Sequence, residues 1–153
     1  MKTASATRTH HLTAVDPARQ AFLLLRTVFT VAPILFGLDK FTNVLTDWTI
    51  YLAPQATAVV PLQPETFMYV VGVVEVVAGI AVAVRPRFGS LLVAAWLAGI
   101  IINLLVLGSF FDVALRDFGL LVGALALNRL AQWNSSAQRN GASRQEQTAP
   151  RTT

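Results

Sequence analysis

A chain of 153 residues that is 54% hydrophobic and only 13% charged lies outside the range of soluble domains, which are about 45–50% apolar and about 25% charged, and its length fits one compact unit. The net charge of +4 comes from short tails and loops, not from a solvated basic face that tracks phosphates, so nucleic acid is excluded as a partner. There is no cysteine, and the only histidines, His10 and His11, stand together near the N-terminus. Disulfide chemistry, thiolate or iron–sulfur ligation and an intramembrane bis-histidine haem are therefore excluded, and no metal site is expected.

In chain order, residues 1–19 are polar and rich in Thr and Ala and read as a retained cytoplasmic tail, without the short apolar core and small-residue cleavage site of a signal peptide. Residues 20–41 are apolar apart from Arg26, Asp39 and Lys40; at 1.5 Å per residue they cross a hydrocarbon core of about 30 Å and form the first span. Pro33 predicts a kink in it. Residues 42–65 contain Asn43, Asp47, Pro54, Pro61 and Pro64, which interrupt any span, while Trp48, Tyr51 and Leu52 suit a segment lying along the interface. The second span covers residues 66–84, interrupted only by Glu75, and Arg85-Pro86-Arg87 turns the chain. The third covers 89–107 with Asn103 as its polar residue, and the fourth covers 113–130 with Arg116 and Asp117 near its start. Residues 132–153 have the composition of a disordered cytoplasmic tail. The expected fold is thus all-α: a four-transmembrane-helix bundle over residues 20–131 with an interfacial segment between the first two spans.

Orientation follows from the short loops. Lys2, Arg8 and Arg19 precede the first span, Arg85 and Arg87 join the second and third, and Arg129, Arg139, Arg144 and Arg151 close the chain. The other two connections hold Asp47, Glu65 and Asp112 and no Lys or Arg. Positive charge is retained in the cytoplasm, which places both termini there and the protein in the cytoplasmic membrane.

Each charged side chain at the bilayer centre costs about 2.5–3.5 kcal/mol, so six of them call for partners. Arg26, Lys40 and Arg116 balance Asp39, Glu75 and Asp117. Counted by helical rise, Arg26 lies about 9 Å above the inner boundary and Glu75 near the midplane, and an Arg26–Glu75 pair is expected. Asp39, Lys40, Asn103, Arg116 and Asp117 fall in the outer half as a second polar cluster. Gly72, Glu75 and Gly79 share one helical face, Trp96, Gly99 and Asn103 another, and Gly119 and Gly123 form a small-residue pair. These stripes are expected to make helix contacts.

Arg26, the Gly37-Leu-Asp-Lys40 segment, Gly72-x-x-Glu75-x-x-x-Gly79 and Arg116-Asp117 together resemble the DoxX family of small four-helix membrane proteins, over roughly residues 20–130. The resemblance implies an accessory or scaffold subunit of a membrane-associated, quinone-linked redox complex. It implies no intrinsic cofactor: any flavin, metal or thiol belongs to a partner, and a quinone is the one intramembrane cofactor compatible with these residues. The bilayer and other subunits, or further copies of the chain, are the expected partners. Two alternatives stay open: a catalytic quinone-binding subunit of a sulfur-compound oxidoreductase, with Glu75 tuned between burial and a nearby cation, and a small proton or weak-acid transporter. The transporter is disfavoured by the unlike hairpins, only the first of which has a long connection.

Overall fold

The computed structural model describes residues 16–148, with side chains through residue 136. The tail containing His10 and His11 lies outside the described residues. Every regular element among them is helical: α1 (Pro17–Asp39), a 3₁₀ turn (Trp48–Tyr51), α2 (Pro54–Val59), α3 (Pro64–Val84), α4 (Pro86–Leu107) and α5 (Phe111–Thr148).

The starts of these helices are written in local chemistry. Pro17, Pro54, Pro64 and Pro86 each stand at the first helical position, where the fixed φ suits the helix and the missing N–H is one of the unpaired donors anyway. The Asp16 carboxylate accepts from the Ala18 N–H at 3.1 Å and caps α1. Gly108, at φ 71°, ends α4 in the left-handed conformation and turns the chain into α5. Helix α1 runs unbroken through Pro33.

Three helices, α1, α3 and α4, are long and apolar enough to cross a membrane. Their packing matches that solvent. The central core is Phe29, Ala78, Val82, Val93, Ala94, Ala124 and Leu127, in which small residues allow close approach, while Leu24, Leu35, Val77, Ile102, Leu115 and Phe118 face outward. Without a hydrophobic force between helices in lipid, close packing of small residues holds them together. The main pairings are α1 with α3 and α4 with α5, and α3 packs on α4 to join them.

Helix α5 extends further than the sequence reading of its span. It continues through Gln132 to Thr148, across residues expected to be disordered. Ala, Gln, Arg and Glu in this segment are good helix formers, and a helix already nucleated by the apolar half extends at one hydrogen bond per residue.

Helices α1 and α3 run antiparallel in a regular register. A β-carbon on Gly37 would stand 2.6 Å from the Gly72 carbonyl oxygen, and one on Gly79 2.7 Å from the Thr30 carbonyl, so glycine is required at both crossings. Further down the same seam the Arg26 guanidinium donates to the Ala83 carbonyl. Equal steps down α1 are thus matched by equal steps along α3, and this register decides which charges meet.

Candidate polar site under the α1–α3 connection

The expected Arg26–Glu75 pair does not form. Glu75 accepts instead from the Lys40 ammonium at 2.7 Å, and both residues are buried, at 4% and 7% exposure. The reason is the lean of side chains toward the N-terminus of their own helix. Those of α1 lean toward its start, so Lys40 leans down the bundle and Arg26 leans away from its middle. Those of α3, which runs the other way, lean up. Lys40 and Glu75 therefore converge, whereas Ala83, the register partner of Arg26, lies eight residues, about 12 Å, beyond Glu75.

Around this pair the connection between α1 and α3 folds into a cap. Asp39 is buried and organises it: its carboxylate accepts from the Val44 N–H (3.0 Å), the Leu45 N–H (3.2 and 3.3 Å), the Thr42 hydroxyl (3.3 Å) and the Trp48 indole N–H (2.8 Å). That last bond sets the Trp48 ring so that the Lys40 ammonium lies 3.8 Å from its centroid, a cation–π contact on the side of the lysine that Glu75 leaves open. Asp47 caps the 3₁₀ turn, accepting from the Thr49 hydroxyl at 2.6 Å and the Thr49 N–H at 2.9 Å. These bonds favour its charged form and lower its pKa below the ordinary carboxylate value.

Asn103 ties the other end of the cap to α4. Its side-chain oxygen accepts from the Ala53 N–H at 3.0 Å and its amide donates to the Tyr51 carbonyl at 2.6 Å, satisfying the last carbonyl of the 3₁₀ turn and the N–H of the residue before α2. Tyr51 in turn packs on Phe110, with ring centroids 4.6 Å apart. Phe110 holds a positive φ of 59°, a conformation a bulky residue adopts only when its surroundings over-determine it.

Of the seven predicted polar positions, six gather at this end and Arg26 does not. Lys40, Glu75, Asp39 and Asn103 are bonded as described. Asp117 is half-buried and within electrostatic reach of Arg116, Glu75 and Lys40, while Arg116 is exposed. With Arg26 elsewhere the charges no longer balance: Lys40 and Arg116 face Asp39, Glu75 and Asp117, one negative charge in excess.

The glycine stripes divide in the same way. Gly72 and Gly79 are used in the α1–α3 seam, and Gly123 receives the Phe29 ring. Gly99 and Gly119 meet nothing within 4 Å, so the expected Gly119–Gly123 contact is only half made. Trp96, on the Asn103 face, buries its indole N–H with no hydrogen-bond partner among the described residues. The same residues contain no group of three His, Cys, Asp or Glu side chains converging on one point.

One polar centre escaped the sequence reading. Asn128, buried in α5, donates to the Arg87 carbonyl at 2.6 Å and to the Ser90 hydroxyl at 3.2 Å, and accepts from the Gln132 amide at 2.6 Å. It clamps the start of α4 to α5. The available signal was its helical spacing from Ala124 and Gln132, which places it on the inward face.

No family model matches the chain, and neither a curated protein nor a solved structure matches it.

Proposed function

We propose that the chain is a DoxX-like integral protein of the cytoplasmic membrane that spans it four times, with both termini in the cytoplasm, and serves as an accessory or scaffold subunit of a quinone-linked redox complex. The cap over the Lys40–Glu75 pair carries this reading. Buried charges are retained where they fix one arrangement, and here they immobilise the connection between α1 and α3. The resulting outer surface exposes Val44 (80%), Leu45 (64%) and Val59 (81%) on a backbone ordered before any partner arrives, which reduces the entropy lost on binding. Helix α5 supplies the fourth span by packing along α4, its early charges lying at the outer boundary beside Lys40 and Glu75.

The test is affinity purification of the full chain in mild detergent, followed by mass spectrometry, for the wild type and for Val44→Asp/Leu45→Asp. A scaffold yields a stoichiometric partner that the double variant loses while its melting temperature is retained. A homomer isolated alone from both, or a partner retained equally by both, contradicts the proposal.

A second reading makes the chain itself the quinone-binding catalytic subunit of a sulfur-compound oxidoreductase. It is favoured by the unpartnered Trp96 indole N–H, a free donor for a carbonyl oxygen, and by the carboxylate in excess near Lys40. Quinone-dependent turnover of the purified complex unchanged by Trp96→Phe and Asp117→Asn defeats it.

A further inference from the structure

At the opposite end of the bundle the structure forms a second feature, unrelated to the capped site. The starts of α1 and α4 and the middle of α5 enclose an open cleft of about 920 Å³. Arg19, Arg26, Arg85 and Arg87 line it, against the single acid Asp16. That carboxylate already caps α1, and no ion pair among the described residues involves any of the four arginines. Helices α1 and α4 begin here and α3 ends here, so helix dipoles of both signs meet at the cleft and its positive field comes from the arginines. The same lining includes the apolar and aromatic side chains of Phe22, Leu23, Phe88 and Trp133.

Four arginines lining one cleft with a single acid, and in no ion pair among the described residues, leave a net positive charge that an anion would offset. Guanidinium forks bind phosphate oxygens in pairs. Apolar side chains in the same lining suit an acyl chain, and a basic pocket between helices at the cytoplasmic surface suits a phospholipid headgroup. We infer that this cleft binds the phosphodiester headgroup of an anionic membrane phospholipid, with Arg85 and Arg87 reaching the phosphate from the α3–α4 turn and Arg19 from the start of α1. Arg26 also lines the cleft, with its guanidinium anchored on the Ala83 carbonyl. This inference rests on the membrane reading above, with this end at the inner surface.

The experiment is native mass spectrometry of the purified full chain from mixed micelles containing phosphatidylglycerol or phosphatidylcholine. Phosphatidylglycerol is expected to be retained in preference. Retention falls about fivefold for each arginine replaced in Arg85→Gln and Arg87→Gln, both exposed residues, with the circular dichroism spectrum unchanged. Arg129→Gln removes the same charge at the same end but outside the cleft, and leaves retention as in the wild type. Equal retention of the two lipids, or an equal loss in Arg129→Gln and Arg87→Gln, overturns the site. Displacement of the lipid by millimolar glycerol phosphate assigns the cleft to a free phosphate ester and overturns the lipid as its occupant. Failure of the membrane reading shows separately, as release of the chain from membranes by alkaline carbonate.

Discussion

Glu75 and Lys40 stand in the part of the chain where an unpaired charge is most costly, and each makes the other tolerable. Removing one partner of a buried pair leaves the other uncompensated, at a cost of about 3–5 kcal/mol, whereas replacing both with apolar residues of similar volume is often neutral or stabilising. Glu75→Ala is therefore expected to lower the midpoint of thermal unfolding in detergent sharply. Lys40→Met/Glu75→Leu is expected to recover most of that loss, because Trp48 and Asp39 remain in place. A double variant as unstable as the single one shows that the charges themselves, and not the space they fill, hold the cap. The candidate residues were legible as intramembrane charges, but their pairing was not. Counting depth along two helices favoured Arg26 for Glu75 and set Lys40 in the outer half, and the lean of the side chains in the assembled register brings Lys40 to Glu75 instead.

The α1–α3 seam and the cap depend on each other at the scale of elements. The crossing at Gly37 and Gly72 sets the register that delivers Lys40 to Glu75. Gly37→Ala places a methyl group 2.6 Å from the Gly72 carbonyl, a backbone group that cannot turn aside. A loss of about 1–3 kcal/mol is expected, as for overpacking of a filled core, together with faster amide exchange at Val44 and Leu45 as Asp39 shifts. A shift in stability with no change in that exchange separates the seam from the cap. Asn103→Leu acts from the other side. It frees the Tyr51 carbonyl and the Ala53 N–H, costs about 1–3 kcal/mol for unpaired buried groups, and is expected to open the chain around α2 to limited proteolysis while the bundle stays folded. Cleavage no faster than in the wild type contradicts the role given to Asn103. The three long apolar helices α1, α3 and α4 were legible to within a few residues, since hydropathy and the prolines at helix starts are local signals. The cap was read only as an interfacial segment, because its shape depends on Asp39 and Asn103, which lie outside it, in α1 and α4. The continuation of α5 through Thr148 was not read, because its polar composition carries no hydrophobic periodicity.

The whole molecule has two chemically different ends joined by a bundle of small inward residues and large outward ones. One end is a capped, nearly neutral cluster beneath an apolar surface, and the other is a cleft lined by four arginines that form no ion pair among the described residues. This asymmetry was visible in the sequence as loop charge, and it supports the orientation proposed above. The number of spans rests on α5. Three helices satisfy the length and hydropathy of a span, and the early part of α5 carries Asp112, Arg116 and Asp117, so its crossing depends on those charges lying at the outer boundary. Because the chain has no cysteine, single cysteines introduced at exposed or part-exposed positions and labelled with a membrane-impermeant maleimide in intact cells read the topology directly. Four spans with both termini inside require that Val44→Cys and Ser109→Cys label from outside, and that Arg87→Cys and Ser135→Cys label only after the membrane is permeabilised. Labelling of Ser135→Cys from outside would place the end of α5 with the cap and contradict the four-span arrangement.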